Sequence, residues 1–295
     1  MGKAVRIATG TIGVGILVLA MKGAAWWMTG SAALYSDALE STVNVAAGFV
    51  ALVALRFASR PADANHPFGH DKAEFFAAVI EGVLILVAAL SIFRHAWETW
   101  QAPQALQMPY QGLALNAVAT LINGLWASVL FRNARILRSP ALQADARHLT
   151  ADVATSIGVT VGVLLAVRTG YLVLDPLLAA ATGVHVLWSG ASMIWASVGG
   201  LMDAAPETAV IDRIRAVIAE QAAGAIEAHD LRSRHAGRLT FVEFHLVVPG
   251  AMTVAASHDI CDRIEAALKA EMHHLVITIH VEPEAKAKQT GVPVL

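Results

Sequence analysis

Six apolar segments dominate the first two thirds of the sequence, and they restrict the folds that this chain can adopt. They cover approximately residues 5–28, 31–57, 73–93, 111–131, 148–167 and 172–198. An α-helix needs about 20 mainly apolar residues to cross the hydrocarbon core of a bilayer. Hydrophobic residues make up 56% of the chain and charged residues 15%. The sequence therefore predicts an all-α membrane domain of six spans.

The basic residues outside these spans are distributed unequally. The opposite connections contain only Arg94 and Arg168, whereas the N-terminus and the connections after spans two and four contain Lys3, Arg6, Arg56, Arg60, Lys72, Arg132, Arg135, Arg138 and Arg147. Cytoplasmic connections are enriched in Lys and Arg. Both termini are therefore expected in the cytoplasm.

The hydrophobic pattern changes after Gly200 and predicts a second domain. Residues 206–221 have the period of an amphipathic helix, and residues 225–249 alternate on both sides of a glycine-containing turn, as in a hairpin. A helix over 253–272 and a strand over 275–283 follow. The order αββαβ suits a ferredoxin-like, or metallochaperone-like, α+β domain. We therefore predict a transmembrane domain over 1–202, a cytoplasmic metal-binding and dimerisation domain over 203–285, and a disordered tail over 286–295.

Composition excludes several other classes of protein. A single cysteine, Cys261, excludes an intramolecular disulfide framework and a zinc cluster of thiolates, so the twelve histidines are the more informative metal-binding group. The net charge of -2 gives no indication of a nucleic-acid surface. The sequence has no HExxH motif and no evident nucleophile beside a base, which argues against an intramembrane metalloenzyme.

Two of the predicted spans carry polar residues at helical spacing. Each ionisable group at bilayer depth costs at least about 2.5 kcal/mol on insertion scales, so each is a candidate functional residue. Span two carries Asp37, Glu40 and Asn44. Span five carries Asp145, His148, Asp152 and Ser156. If the two stripes face each other, they offer a mixed nitrogen and oxygen site for a small divalent transition metal. The alternative is a set of interhelical hydrogen bonds.

Two further charged residues lie deep in predicted spans, Lys22 in span one and Glu81 in span three. They could pair with each other, or Glu81 could belong to a path for protons or ions. The sequence leaves both interpretations open.

Four motifs resemble the cation diffusion facilitator family of divalent metal/proton antiporters, and in particular its bacterial zinc and ferrous-iron efflux branch. They are RPADANHPFGHDKAEFFAAVIEG between spans two and three, HLTAD in span five, AHDLRSR at Ala228–Arg234, and IHVEP at Ile279–Pro283. The resemblance extends over nearly the whole chain. It implies six spans followed by a cytoplasmic domain.

The resemblance implies a transport site composed of Glu40, Asn44, His148 and Asp152. The branch used for comparison has a carboxylate or histidine at the first position and aspartate at the second. Here Glu40 keeps one acid, and Asn44 replaces the other with a neutral amide, which lowers the negative charge of the site by about one. We hypothesise that Glu81 supplies the missing acid.

The resemblance also implies sites outside the membrane. A second metal site would be formed by Asp63, His66 and His70, with a solvated polar loop as the alternative. Lys72 and Asp203 would form an ion pair that fixes the two protomers at their interface. A binuclear regulatory site in the cytoplasmic domain would use His229, His245, His258, His280 and Glu282, with His258 contributed by the facing helix.

These expectations combine into one function. The predicted protein is a homodimeric antiporter of the cell inner membrane that exports Zn, Fe(II), Co, Ni or Cd in exchange for protons. Metal ions are its substrate and regulator, no organic cofactor is expected, and the lipid bilayer and a second copy of the chain are its partners. The alternative is a membrane-embedded metal sensor or storage protein without transport.

Overall fold

The computed structural model describes residues 3–103, 105–137, 140–237, 239–272, 274–288 and 292–293. The chain divides into two compact units. The membrane unit comprises Met1–Val53 and Ala77–Trp195, and the sheet unit comprises Ala54–Phe76 and Ala196–Leu295. Residues 54–76, between the second and third apolar segments, therefore belong to the same unit as the C-terminal domain.

Six long helices follow one another from the N-terminus. They are α1 (Lys3–Thr29), α2 (Ala32–Ala58), α3 (Ala73–Gln101), α4 (Pro109–Leu137), α5 (Pro140–Thr169) and α6 (Leu174–Leu201). Each contains a segment long and apolar enough to cross a membrane. The six predicted spans are thus confirmed. Proline begins α4 and α5, where its missing N–H would have had no helical partner.

The start of α2 is fixed by a carboxylate from α6. Asp175 accepts hydrogen bonds from the Ser31 hydroxyl (2.5 Å) and from the backbone N–H groups of Ala32 (2.7 Å) and Ala33 (3.2 Å). These first N–H groups of a helix have no intrahelical acceptor. Asp175 is 2% exposed, so this cap sets the position of α2 and of the polar stripe along it.

Helices α3 and α6 approach each other through glycines. A Cβ atom on Gly82 would lie 3.1 Å from the carbonyl oxygen of Gly190, and a Cβ atom on Gly190 would lie 3.1 Å from that of Gly82. Small residues allow membrane helices to approach closely. The neighbouring residue Glu81 is therefore held on a helix whose packing is tightly defined.

The sheet unit contains α7 (Thr208–Gln221), β1 (Glu227–Ala236), β2 (Leu239–Val248), α8 (Val254–Glu271) and β3 (Leu275–Pro283), followed by a 3-10 turn (Glu284–Lys286) and β4 (Val292–Pro293). The strand order is β3-β2-β1-β4. Strands β1 and β2 are antiparallel, β2 and β3 are parallel, and β4 is antiparallel to β1. The predicted αββαβ order is confirmed.

One face of this sheet carries the apolar core. Val242, Phe244 and Leu246 of β2 are buried against residues of α7 and α8 that include Ile214 and Ile264. Because successive side chains of a strand point to opposite faces, Glu243 and His245 lie on the face away from the two helices. The fold thereby leaves one sheet face free for polar groups.

The C-terminal tail differs in part from the predicted disorder over 286–295. Val292 and Pro293 pair with Ala228 and Glu227 of β1. An edge strand has unpaired backbone groups that another strand can satisfy, which explains this short addition. Residues 289–291, 294 and 295 lie outside the described residues.

Candidate metal sites

Three of the four residues predicted for the transport site meet between α2 and α5. The Asn44 Nδ2 atom donates a hydrogen bond of 2.7 Å to Asp152 Oδ2. The His148 Nε2 atom lies 3.4 Å from Asn44 Oδ1 and 3.8 Å from Asp152 Oδ2. His148 and Asp152 are four residues apart and so share one face of α5. A nitrogen donor, an amide and a carboxylate therefore converge on one region.

Glu40, the fourth predicted residue, lies one turn before Asn44 on α2. The charged groups close enough to act on it are Asp152, Asp37 and Lys22. Among the described side chains, Glu40 makes no hydrogen bond to Asn44, His148 or Asp152. The structure thus brings Glu40 near Asp152 and Asn44, with no hydrogen bond between the described side chains.

A cavity of about 210 Å³ opens beside the three converging residues. Its wall includes Asn44, His148 and Asp152, together with Glu81 of α3 and Asn123 of α4. It lies within the membrane unit, and a volume of this size accommodates several water molecules. A hydrated ion could therefore reach the carboxylate and the imidazole.

Lys22 pairs with Asp37, and not with Glu81. The Lys22 Nζ atom lies 2.7 Å from Asp37 Oδ1 and 2.8 Å from the Ser156 hydroxyl. The second Asp37 oxygen accepts a hydrogen bond of 3.0 Å from Asn116 Nδ2. This buried network joins α1, α2, α4 and α5. Glu81 lies apart from this network and lines the cavity.

The sequence interpretation missed two buried amides of α4, Asn116 and Asn123. Asn116 is 0% exposed and Asn123 is 4% exposed. Asn116, Thr120 and Asn123 are spaced four and three residues apart, which places them on one helix face. That spacing is present in the sequence, but the cost of inserting charged groups into the bilayer gives no signal for these amides, because they are uncharged.

The loop between α2 and α3 brings Asp63, His66 and His70 together. One ligand atom from each lies within 4.8 Å of the others. His66 Nδ1 is 3.3 Å from Asp63 Oδ1, and His70 Nε2 is 3.4 Å from Asp63 Oδ2. A backbone hydrogen bond from His66 lowers the pKa of the exposed Asp63 carboxyl group. The carboxylate is therefore available as a ligand at neutral pH.

The predicted ion pair between Lys72 and Asp203 is present, and it joins two residues of the same chain. The Lys72 Nζ atom is 2.8 Å from Asp203 Oδ1, and Arg234 Nη1 is 3.0 Å from the same oxygen. The hydrogen bonds from Lys72 and then Arg234 lower the pKa of Asp203. The interprotomer role that the resemblance implies for this pair remains a prediction.

The loop also contacts the turn between β1 and β2. Gly237 has a φ of +59°, and a Cβ atom there would lie 2.6 Å from the carbonyl oxygen of Asp71. Phe68 packs edge-on against Phe241 with ring centres 6.0 Å apart. The loop that carries the three predicted ligands is thus held against the sheet.

Three histidines and one glutamate gather on the open face of the sheet. His229 Nε2 lies 3.3 Å from Glu282 Oε2, and His245 Nδ1 lies 3.4 Å from Glu282 Oε1. His280 Nε2 is 3.7 Å from Glu282 Oε1. His229 Nε2 and His245 Nδ1 are buried without a hydrogen-bond partner among the described atoms. They point towards the carboxylate without hydrogen-bond alignment, which is the arrangement expected of ligands around a common ion.

The structure adds one residue to this cluster and separates another from it. Ligand atoms of His229, Asp230 and His245 lie within 4.8 Å of one another. Asp230 belongs to the AHDLRSR motif, so the sequence contained a signal for this third ligand. His258 is 73% exposed, and its nearby acid is Asp262. It lies on α8, which packs against the other sheet face. Within one chain the facing helix therefore does not bring His258 to the cluster.

Comparisons with known proteins cover both units. Residues 11–202 match the model of the cation efflux transmembrane domain, and residues 206–284 match that of the cation efflux protein cytoplasmic domain. The chain is 42% identical over 273 residues to an uncharacterized transporter of Synechocystis sp., covering 92% of this chain and 88% of that protein. It is 32% identical over 279 residues to the cation-efflux pump FieF of Pectobacterium atrosepticum, covering 94% and 91%. The putative zinc transporter CzrB, solved in a Zn form, is 45% identical over 28% of this chain and 96% of that chain, with a TM-score of 0.28.

Six spanning helices with convergent polar groups, matched over most of their length by a cation efflux model, define a multi-pass membrane transporter of cations. The chain belongs to the cation diffusion facilitator family. The resemblance that the four motifs indicated is confirmed.

Proposed function

We propose that this protein is a homodimeric antiporter that exports a divalent transition metal in exchange for protons. The observation that carries the proposal is the convergence of Asn44, His148 and Asp152 at a cavity inside the spanning helices. Polar groups at membrane depth are costly and are retained at ion and proton paths. Membership of a cation efflux family supports the direction of transport.

Binding of the substrate would replace the hydrogen bonds that now connect these three residues. Asp152 Oδ2 would exchange the Asn44 N–H for the cation, and His148 would offer the lone pair of Nε2. Rotation of the Asn44 amide would turn its oxygen towards the ion. Glu40, one turn away, would complete four ligands. One nitrogen and three oxygen donors suit Zn, Fe(II), Co, Ni or Cd better than calcium.

Protons would compete for the same groups. Carboxylates and imidazole bind metals in their deprotonated forms, so metal binding releases protons, and protonation weakens the site. Entry of protons from the outer side would then drive release of the metal. Glu81 lines the same cavity, which supports its proposed role as the acid that Asn44 does not provide. Normal transport by a Glu81→Gln variant would contradict that role.

Metal binding outside the membrane would regulate the cycle. Asp63 with His66 and His70, and Glu282 with its neighbouring histidines, offer donors at distances suited to such sites. A metal that binds one conformation more tightly shifts the population towards it. The match of residues 206–284 indicates a dimerisation domain, which supports a homodimer. The distribution of Lys and Arg supports cytoplasmic termini in an inner membrane.

The test is metal-dependent proton flux in proteoliposomes, with Zn, Fe(II), Co, Ni, Cd and Mn tried in parallel. The Asp152→Ala variant is the negative control, and Asp262→Ala, an exposed acid on α8, is the matched control for loss of a carboxylate. We expect flux from the wild type and Asp262→Ala and none from Asp152→Ala. Metal binding without flux in every protein would reject transport and favour a sensor or storage protein.

A further inference from the structure

Asn123 is a buried amide whose oxygen has no hydrogen-bond partner among the described atoms. The residue is 4% exposed and lies on α4, a helix that carries none of the residues assigned to the transport site. A buried acceptor without a partner is unfavourable and is therefore uncommon in folded proteins. Its retention here calls for a ligand or water molecule as the missing partner.

The position of Asn123 identifies where that partner would be. Asn123 lines the cavity of about 210 Å³ that Asn44, His148 and Asp152 also line. The oxygen of Asn116, the other buried amide of α4, also has no partner among the described atoms. Its Nδ2 atom is bonded to Asp37 (3.0 Å) and Thr160 (3.1 Å), however, and Asn116 is absent from the cavity wall. Asn123 is thus the α4 amide directed at the transport cavity.

We propose that the amide oxygen of Asn123 is a specificity-determining donor for the transported cation, either directly or through one bound water. This inference rests on the proposed transport function and adds a donor from a third helix. With Asn44, it gives the cavity two neutral amide oxygens beside one imidazole and the carboxylates of Asp152 and Glu81. Zinc is commonly satisfied by four ligands, whereas Mn(II) and Fe(II) take more oxygen ligands. Asn123 therefore favours the more highly coordinated ions.

The experiment compares apparent metal affinities of Asn123→Leu and the wild type in the proteoliposome flux assay. Loss of an outer ligand group lowers metal affinity by about 10-fold to 100-fold, and we expect a loss of about this size for Mn(II) and Fe(II). Four-coordinate zinc does not need the extra donor, so its affinity should change by less than about threefold. The matched control is Asn133→Ala, since Asn133 lies on the same helix and its amide donates to Val129 O.

A structural role for Asn123 gives a different result. Leucine removes an acceptor that has no partner, so the metal-free thermal midpoint of Asn123→Leu should equal or exceed that of the wild type. A lowered midpoint with an unchanged ratio of Mn(II) to Zn affinity would overturn the inference. So would equal losses for all metals, or no change for any of them.

A second variant covers the case in which leucine does not fold. Asn123→Asp keeps an oxygen at this position and adds a charge, so it should tighten Mn(II) binding if the oxygen faces the ion. Weaker Mn(II) binding would overturn the inference. Failure of the proposed function gives a different result from failure of this inference. Flux that is absent from the wild type, or that Asp152→Ala does not change, rejects the transport function itself. Flux that depends on Asp152, with unchanged metal affinities in both Asn123 variants, rejects only the role of Asn123.

Discussion

The buried ion pair of Lys22 and Asp37 provides a quantitative test of how the membrane unit is held together. The two side chains are each 2% exposed, and their closest nitrogen and oxygen atoms are 2.7 Å apart. Lys22→Met would leave the Asp37 carboxylate buried without its counter-charge. Removing one partner of a buried pair costs about 3–5 kcal/mol. Asp37→Leu should cost a similar amount, because it would leave the buried Lys22 ammonium group without its counter-charge.

The double variant Lys22→Met with Asp37→Leu tests whether the two residues stabilise the fold as a pair or independently of each other. Independent effects would add to about 6–10 kcal/mol, twice the cost of breaking one buried pair. The structure predicts a total near that of one single variant, because no unpaired charge remains. Ser156 and Asn116 still lose Asp37 as a partner, at about 1–3 kcal/mol each. The expected coupling energy is therefore about 3 kcal/mol or more.

The assay is equilibrium unfolding of the full chain in detergent, followed through the fluorescence of its seven tryptophans. A parallel cycle on Arg94 and Glu98 serves as the matched control, since that pair is 2.8 Å apart but 83% and 55% exposed. Exposed pairs contribute about 0–1 kcal/mol. A coupling energy for Lys22 and Asp37 as small as that of the control would refute the argument.

Three further predictions concern the sheet unit. The hydrogen bond from Lys72 lowers the pKa of Asp203. The stability that this carboxylate contributes is therefore present above its unfolded pKa of about 3.9 and is lost as the pH falls through its lower folded pKa. In thermal melts from pH 7 to 3, Asp203→Asn should be less stable than the wild type at neutral pH and should lose less stability on acidification. Gly237→Ala should lower the thermal midpoint more than Gly170→Ala. Both glycines have positive φ (+59° and +75°), which alone costs alanine about 1–3 kcal/mol of strain, but only Gly237 has a close backbone neighbour. Equal midpoints of the two variants would contradict the contact of Gly237 with the loop. Glu282→Ala should reduce the rise in thermal midpoint on adding Zn(II) while Glu282→Gln retains part of it, since an amide oxygen is a weaker ligand; an unchanged rise in both variants would exclude Glu282 as a ligand.

Much of the fold could be predicted because its determinants are local. Each span requires a long apolar segment, and each strand of the sheet requires alternation, so both patterns are visible in short windows of sequence. The convergence of His148, Asp152 and Asn44 follows from helical spacing once two polar stripes are assumed to face each other. These features depend on periodicity, which the chain displays directly.

The remaining features depend on packing between distant segments. The sequence offered Glu81 as a partner for Lys22, whereas the observed pairing with Asp37 follows from how α1 and α2 pack. His258 has the residue type of a ligand, but α8 covers the sheet face opposite to His245, and this separates the two. Asn123 carries no charge, so the cost of burying its oxygen becomes visible only when its surroundings are known.

The pairing of Lys22 with Asp37 also has a consequence for biosynthesis. The two residues lie only 15 positions apart, on the first and second spans, whereas Asn116 and Ser156 are made much later. A lone charge is costly to insert into the bilayer, but a neutral pair can form as soon as the first helical hairpin has been synthesised. Lys22 and Asp37 can therefore enter the membrane already paired, and the later helices need only complete the hydrogen bonds around that pair.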